Sequence, residues 1–137
     1  MTATATPTPV TAVGTPWVTF AGVMTIVAGV ANLFWGWSAL IQNSLNEAYA
    51  PVIGELTVGP LEFWGWVSIA WSLVLFLTSW LLLSHHESGK IVGITVATIS
   101  AVFWLFALVA FPLWAIAAIA VDCLIIYGLT VHWETAK

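Results

Sequence analysis

The sequence predicts an all-α integral membrane protein, folded as an antiparallel bundle of four transmembrane helices. Four apolar runs carry this prediction, over residues 17–41, 61–83, 91–111 and 113–133. At 1.5 Å of rise per residue, each run is long enough to cross a hydrocarbon core of about 30 Å. The composition agrees, because 61% of the residues are hydrophobic and 6% are charged, whereas ordinary soluble domains have about 45–50% and 25%.

The segments outside the four runs are short. Residues 1–16, rich in Thr, Ala and Pro, are predicted to be a disordered tail, and residues 134–137 form a short C-terminal tail. We expect residues 42–60 to be an interfacial cap or a solvated loop. The first run is not expected to be a cleaved signal peptide, because no Lys or Arg precedes it and it exceeds the usual apolar region of about 7–15 residues.

Prolines mark the expected helix boundaries. Thr15 before Pro16 is typical of an N-cap followed by proline at the first helical position, and Pro60 opens the second span in the same way. Pro112 separates the third and fourth spans. Since almost nothing lies between these two spans, they are predicted to form a tight antiparallel hairpin.

The basic residues predict the orientation. Lys90 and Lys137 lie on one side of the membrane, whereas the 42–60 loop on the other side carries Glu47 and Glu55 and no Lys or Arg. By the positive-inside rule, both termini are expected in the cytoplasm, in a multi-pass protein of the plasma membrane. Tryptophans at the span ends are expected at the two interfaces: Trp17, Trp80 and Trp133 inside, and Trp37, Trp64 and Trp114 outside.

Small residues recur along one face of each of the first two spans, at steps of three and four. We expect these residues to pack helix against helix, because small side chains let two backbones approach closely in a membrane. A lined polar pathway is the alternative. The predicted packing residues are Gly22, Gly29 and Gly36 on the first span and Gly65, Ser68 and Ser72 on the second.

Asp122 is the residue that packing explains least, because it lies near the predicted centre of the fourth span. An unpaired carboxylate there costs about 2.5–3.5 kcal/mol even on insertion scales, so Asp122 is expected to be protonated, bind a cation or pair with another subunit. Counting from the outer helix ends places Asn32 at the same depth, and a hydrogen bond between the two is expected. The candidate polar site also includes Ser100 on the third span and Glu62 at the outer mouth. A proton relay, a ligand contact and a partner protein remain alternatives.

Other kinds of site receive little support. The single cysteine, Cys123, excludes an internal disulfide and paired-thiol chemistry. A metal or haem site could be built on the inner side, but its residues lack a ligand frame, so no metal and no cofactor are expected. The residues concerned are His85, His86, Glu87, His132 and Glu134. The net charge of −4, spread over tails and loops, forms no patch for nucleic acid, and no catalytic set is present.

Several segments are similar to a known family: FAGV at 20–23, GVAN at 29–32, WGW at 64–66, GKIVG at 89–93, FPLW at 111–114, AVDCLIIY at 120–127 and TVH at 130–132. Over about residues 17–133 the chain resembles an uncharacterised family of small four-span membrane proteins of actinobacteria. In that family the inner turn usually carries arginine, whereas this chain has HHESGK at 85–90. The resemblance implies fold and compartment but no substrate, because the family has no assigned activity.

Three classes of function remain. The sequence favours a non-enzymatic subunit or organiser that acts in the lipid bilayer through oligomerisation or a partner membrane protein. The alternative is a small carrier or channel element that uses Asp122 and Asn32 to handle a proton, a cation or a lipophilic ligand. A haem-linked or quinone-linked redox protein ranks last, because the sequence offers no nucleophile, paired thiol or metal frame.

Overall fold

The computed structural model describes residues 14–41 and 61–134, and these residues form four helices, with short turns between the second and third and between the third and fourth. The helices are α1 (Gly14–Ile41), α2 (Leu61–Leu83), α3 (Glu87–Ala107) and α4 (Pro112–Val131). All four are long and apolar enough to cross a membrane. The predicted class, an all-α transmembrane four-helix bundle, is therefore confirmed. The expectations for residues 1–13, for the 42–60 loop and for Pro60 lie outside the described residues.

Helix boundaries match the apolar runs at α2 and differ elsewhere. α1 begins at Gly14, so Thr15 lies inside the helix and is not its N-cap, while Pro16 stays in the first turn, where its missing N–H leaves no bond unmade. α3 begins at Glu87, four residues before the apolar run, because the polar residues 87–90 form its first turn. It ends at Ala107, and Phe111 is non-helical (φ −136°, ψ 65°), as expected for a residue before proline.

α1 and α2 pack against each other through glycines along their whole length. At one end, a Cβ atom added to Gly36 would lie 2.7 Å from the carbonyl oxygen of Gly65, so the two backbones are in direct contact. Further along, a Cβ on Gly29 would meet the Phe76 ring at 2.9 Å. From the first contact to the second, the residue number falls in α1 and rises in α2, as an antiparallel pair requires.

At the other end of this pair, an interhelical hydrogen bond joins the two helices. The Ser79 hydroxyl donates to the carbonyl oxygen of Gly22 at 2.8 Å. Most of the predicted packing residues are buried and Ser68 is half-buried; the buried ones are Gly22, Gly29, Gly36, Gly65 and Ser72. The small faces of α1 and α2 are therefore used inside the chain.

The turn between α2 and α3 is tight. His85 has a positive φ of 52°, and a Cβ on Gly89 would lie 2.8 Å from the carbonyl oxygen of Leu81. One turn further on, a Cβ on Gly93 would lie 2.7 Å from Leu129 and 3.2 Å from Leu82. α2, α3 and α4 thus meet at one end of the bundle.

The hydrophobic core lies at that same end. We call it the terminal end, because the first residue of α1 and the last residue of α4 are there, and we call the opposite end the far end. The core is formed by Val18, Ala21, Leu82, Ala97, Ile125, Leu129 and Trp133. Trp133 was expected at the membrane interface, but it is only 2% exposed because it packs in this core.

The far half of the bundle is packed differently. Among residues 28–41, 61–71, 98–107 and 112–121, only glycine and alanine are buried. These are Gly29, Gly36, Ala39, Gly65 and Ala115. The structure therefore consists of two hairpins, α1–α2 and α3–α4, whose shared core of larger side chains lies in the terminal half.

The glycine contacts predict that Gly36→Ala destabilises the protein more than Gly29→Ala does. The new methyl group at position 36 meets backbone atoms of α2, which cannot move independently, whereas at position 29 it meets a phenylalanine ring that can rotate. We expect Gly36→Ala to cost about 1–3 kcal/mol, as overpacking does. Both variants gain the same helix propensity, so the comparison of melting temperatures in detergent isolates the contact. Equal melting temperatures would contradict the close approach of Gly36 and Gly65.

Candidate functional site

Asp122 lies at the middle of α4, ten residues after Pro112 and nine before Val131. At 1.5 Å per residue, its Cα is about 14–15 Å from each end of the helix. The residue is 8% exposed, so its carboxyl group faces protein rather than lipid. α4 therefore holds an ionisable group at mid-depth and turned toward the bundle.

Ser100 of α3 lies beside this carboxyl group, within reach of a side-chain hydrogen bond to it. The pair follows from the register of the α3–α4 hairpin. Gly93 faces Leu129, and Ser100 lies seven residues after Gly93, as Asp122 lies seven residues before Leu129. Steps of seven return to the same helix face, so both side chains point into the seam between α3 and α4.

One half of the Asp122 carboxyl group has no such partner. The Oδ2 atom is buried and accepts no hydrogen bond from the described residues. Native structures satisfy most buried polar atoms, so an orphaned carboxyl oxygen calls for an explanation. A proton on the carboxyl group, or a donor or cation from outside the chain, would supply one.

The expected hydrogen bond between Asn32 and Asp122 is not formed. The Asn32 amide donates instead to the carbonyl oxygen of Ala28, one turn earlier in α1, at 2.9 Å. Counting depth from the helix ends was misleading, because α1 is longer than α4. Gly128 packs beside Trp17, so Asp122 is level with Val23, about 14 Å along α1 from Asn32.

Glu62 is also remote from Asp122. It is exposed in the first turn of α2, at the far end. Leu82 packs beside Gly93, so the level of Ser100 on α2 is Leu75, about 20 Å along the helix from Glu62. A carboxylate in the first turn interacts favourably with the helix dipole, which accounts for Glu62 where it stands. Of the four predicted polar-site residues, the structure brings together only Asp122 and Ser100.

Other buried hydroxyl groups near mid-depth are satisfied by backbone carbonyls. The Thr25 hydroxyl donates to Ala21 at 2.7 Å, and the Ser72 hydroxyl donates to Ile69 at 2.7 Å. Each bond lies within one helix. These hydroxyls therefore do not extend the Asp122 and Ser100 pair into a chain of side-chain hydrogen bonds.

The terminal end carries an aromatic cluster that the sequence reasoning missed. The rings of Trp17 and His132 are stacked, with centroids 5.3 Å apart and planes inclined by 15°. Tyr127 meets Trp17 edge to face at 5.5 Å. The signal was available, because an antiparallel bundle places the start of span one and the end of span four at the same end. These ring contacts pack the start of α1 against the end of α4.

The histidines and acidic residues of the terminal end were considered as possible metal ligands. In the described part of the chain, no three His, Cys, Asp or Glu side chains form a group that could hold a metal ion. Lys90 and Glu134 form an ion pair at 3.7 Å, in which Lys90 is half-buried and Glu134 is exposed. Such exposed pairs contribute little to stability, so this contact does not make a functional site.

The comparisons with known proteins show a family and no activity. No curated protein and no solved structure matches the chain. One family matches residues 17–134, which include all of α2, α3 and α4, most of α1 and the Asp122 site. Because this match covers most of the 137 residues, the chain belongs to the family described as domain of unknown function DUF7144.

Proposed function

We propose that this protein is a non-enzymatic integral membrane protein whose working site is the pair Asp122 and Ser100, and that the site holds a proton, a small cation or the polar group of a lipophilic ligand. One observation carries the proposal. Asp122 is a buried residue at the middle of α4, and its buried Oδ2 atom has no hydrogen-bond partner among the described residues.

The surroundings of Asp122 offer no compensating charge. Within residues 14–41 and 61–134, Lys90 is the only lysine or arginine. It lies ten residues from Ser100 along α3, about 15 Å away, and it is paired with Glu134. An ionised carboxylate in a low-dielectric site needs a positive charge or several donors nearby. The carboxyl group is therefore expected to hold a proton or to receive a group from outside.

A subunit or organiser role, which the sequence favours, becomes the second candidate. The sequence argument for this role used the small-residue faces and Asp122 as contact surfaces for a partner. The glycine faces of α1 and α2 pack against each other within the chain, so they are not free for a partner. The observation that still favours it is the unpartnered Oδ2 atom of Asp122, which can accept a hydrogen bond from a second copy of the chain or from a partner membrane protein. The actinobacterial source remains an expectation.

The first prediction for this site concerns its protonation. Infrared difference spectra at neutral pH should contain a carboxylic acid C=O band that is absent in Asp122→Asn. The reason is that the protonated acid has the lowest free energy for a buried carboxyl group without a cation. If a cation is bound instead, the band should appear when the protein is stripped of cations. An ionised Asp122 with neither a cation nor a second subunit beside it would contradict the proposal.

The second prediction concerns the partner of Asp122. Ser100→Ala should shift the Asp122 band, because the carboxyl group loses its hydrogen bond from α3. Ser72→Ala is the control, since Ser72 also carries a hydroxyl near mid-depth but bonds to its own helix. A band that both substitutions leave unchanged would show that Ser100 does not bind Asp122.

The proposed orientation places both termini in the cytoplasm of a plasma-membrane protein. Its support is the position of Lys90 beside the turn between α2 and α3, at the terminal end. In a Cys123→Ala background, a thiol introduced by Ser88→Cys should react with an impermeant reagent only after the cells are opened. Reaction in intact cells would reverse the orientation.

A further inference from the structure

The turn that joins α3 to α4 is unusually apolar. From Ala101 to Val121 no side chain is charged, and only the two tryptophan rings carry a polar atom. The three most exposed large hydrophobic side chains of the described residues are also there: Phe106, Val109 and Leu113, at 79%, 84% and 86%. A turn that faced water would be expected to carry polar residues, because an apolar surface of this kind is costly in water.

From these observations we propose that this turn, residues 108–111, lies within the leaflet at the far end of the bundle and contacts lipid rather than water. The α3–α4 hairpin would then cross the hydrocarbon core from the terminal side, and its turn would lie at the outer limit of the acyl chains in the opposite leaflet. This inference is independent of the role proposed for Asp122.

The backbone of the turn suits such an environment, because two of its N–H groups are bonded to the end of α3. The N–H groups of Ala110 and Phe111 both donate to the carbonyl oxygen of Ala107, at 3.1 and 2.9 Å. The Phe111 carbonyl oxygen in turn accepts from Ala115 at 2.9 Å, and Pro112 has no N–H group to satisfy. Backbone groups that leave water must be bonded internally, and this turn meets much of that requirement.

The length of the hairpin agrees with this depth. α3 is about 30 Å long and α4 about 29 Å, so both match the hydrocarbon thickness of about 30 Å and place the turn at its boundary. α2, which begins with Leu61 and the charged Glu62, is about 33 Å long and can reach water at the far end.

Lipid is the occupant that these observations favour. The exposed side chains are aliphatic or aromatic, no described side chain of the turn could give a protein partner a directed polar contact, and the satisfied backbone donors leave few groups for such a partner to bond. Acyl chains require neither shape nor polar complementarity. The turn thus fits an unspecific hydrocarbon environment.

The test uses the purified full chain in phosphatidylcholine vesicles, in a Cys123→Ala background, with an impermeant maleimide on both sides of the membrane. Val109→Cys should react at least about tenfold more slowly than Glu62→Cys, because a thiol among acyl chains is shielded from a water-borne reagent. Glu62 is the matched control, since it is exposed at the same end of the bundle. Equal rates would overturn the proposal.

A spin label distinguishes lipid from protein as the cover. A nitroxide attached to Val109→Cys should collide often with oxygen, which concentrates in hydrocarbon, and rarely with a water-soluble nickel chelate. A label shielded from both would mean that a second copy of the chain covers the turn, and the proposal would be wrong. Leu113→Cys repeats both measurements if Val109→Cys does not fold.

Discussion

The structure depends on how closely two helices can approach in an environment that does not drive them together by the hydrophobic effect. In lipid, helix association rests on van der Waals contact and interhelical hydrogen bonds, and both need short distances. Gly22, Gly29 and Gly36 supply such distances at steps of seven along α1, and Gly65 completes the backbone contact with α2. A repeat of seven follows one face of a helix pair with a slight left-handed twist. The α1–α2 hairpin is therefore built as one unit against which the rest can pack.

The α3–α4 hairpin joins that unit in the terminal half, where bulkier side chains fill the space between helices. Leu82 and Leu129 meet over Gly93, and the stacked rings of Trp17 and His132 close the end. In the far half, over residues 28–41, 61–71, 98–107 and 112–121, only glycine and alanine are buried. Asp122 lies where the core of larger side chains ends. This position shields the carboxyl group from lipid without filling all of its hydrogen-bonding capacity.

Sequence reasoning predicted those features that depend on local properties. The four spans followed from the length of apolar runs, and the tight α3–α4 turn followed from Pro112, which cannot continue a helix. Ser100 was included in the polar site because it lies on the small face of its span. What failed depended on the relative positions of helices. The pairing of Asn32 with Asp122 assumed helices that end at one level, whereas α1 has 28 residues and α4 has 20.

The burial of Trp133 was missed for a related reason. Depth along the membrane normal can be counted from a sequence, and it places this residue near the terminal interface. Whether a ring at that depth faces lipid or protein depends on the rotation of α4 and on what packs beside it, and Trp133 faces the core. The Trp17 and His132 stack was missed for the same reason, since neither span alone reveals it.

The hydrogen bond between Ser100 and Asp122 has a structural consequence that bears on the identity of residue 122. Between these two residues, α3 and α4 have no polar side chain except tryptophan, so their apolar surfaces alone would tolerate a shift of one helix along the other. A shift would separate the pair and leave a carboxyl group facing hydrocarbon, which fixes the register of the hairpin. An asparagine would fix the register equally well, because its amide bonds to a hydroxyl group without any cost of ionisation. An acid at this position therefore provides something that register does not require, namely a proton that can be exchanged or a negative charge that can be matched.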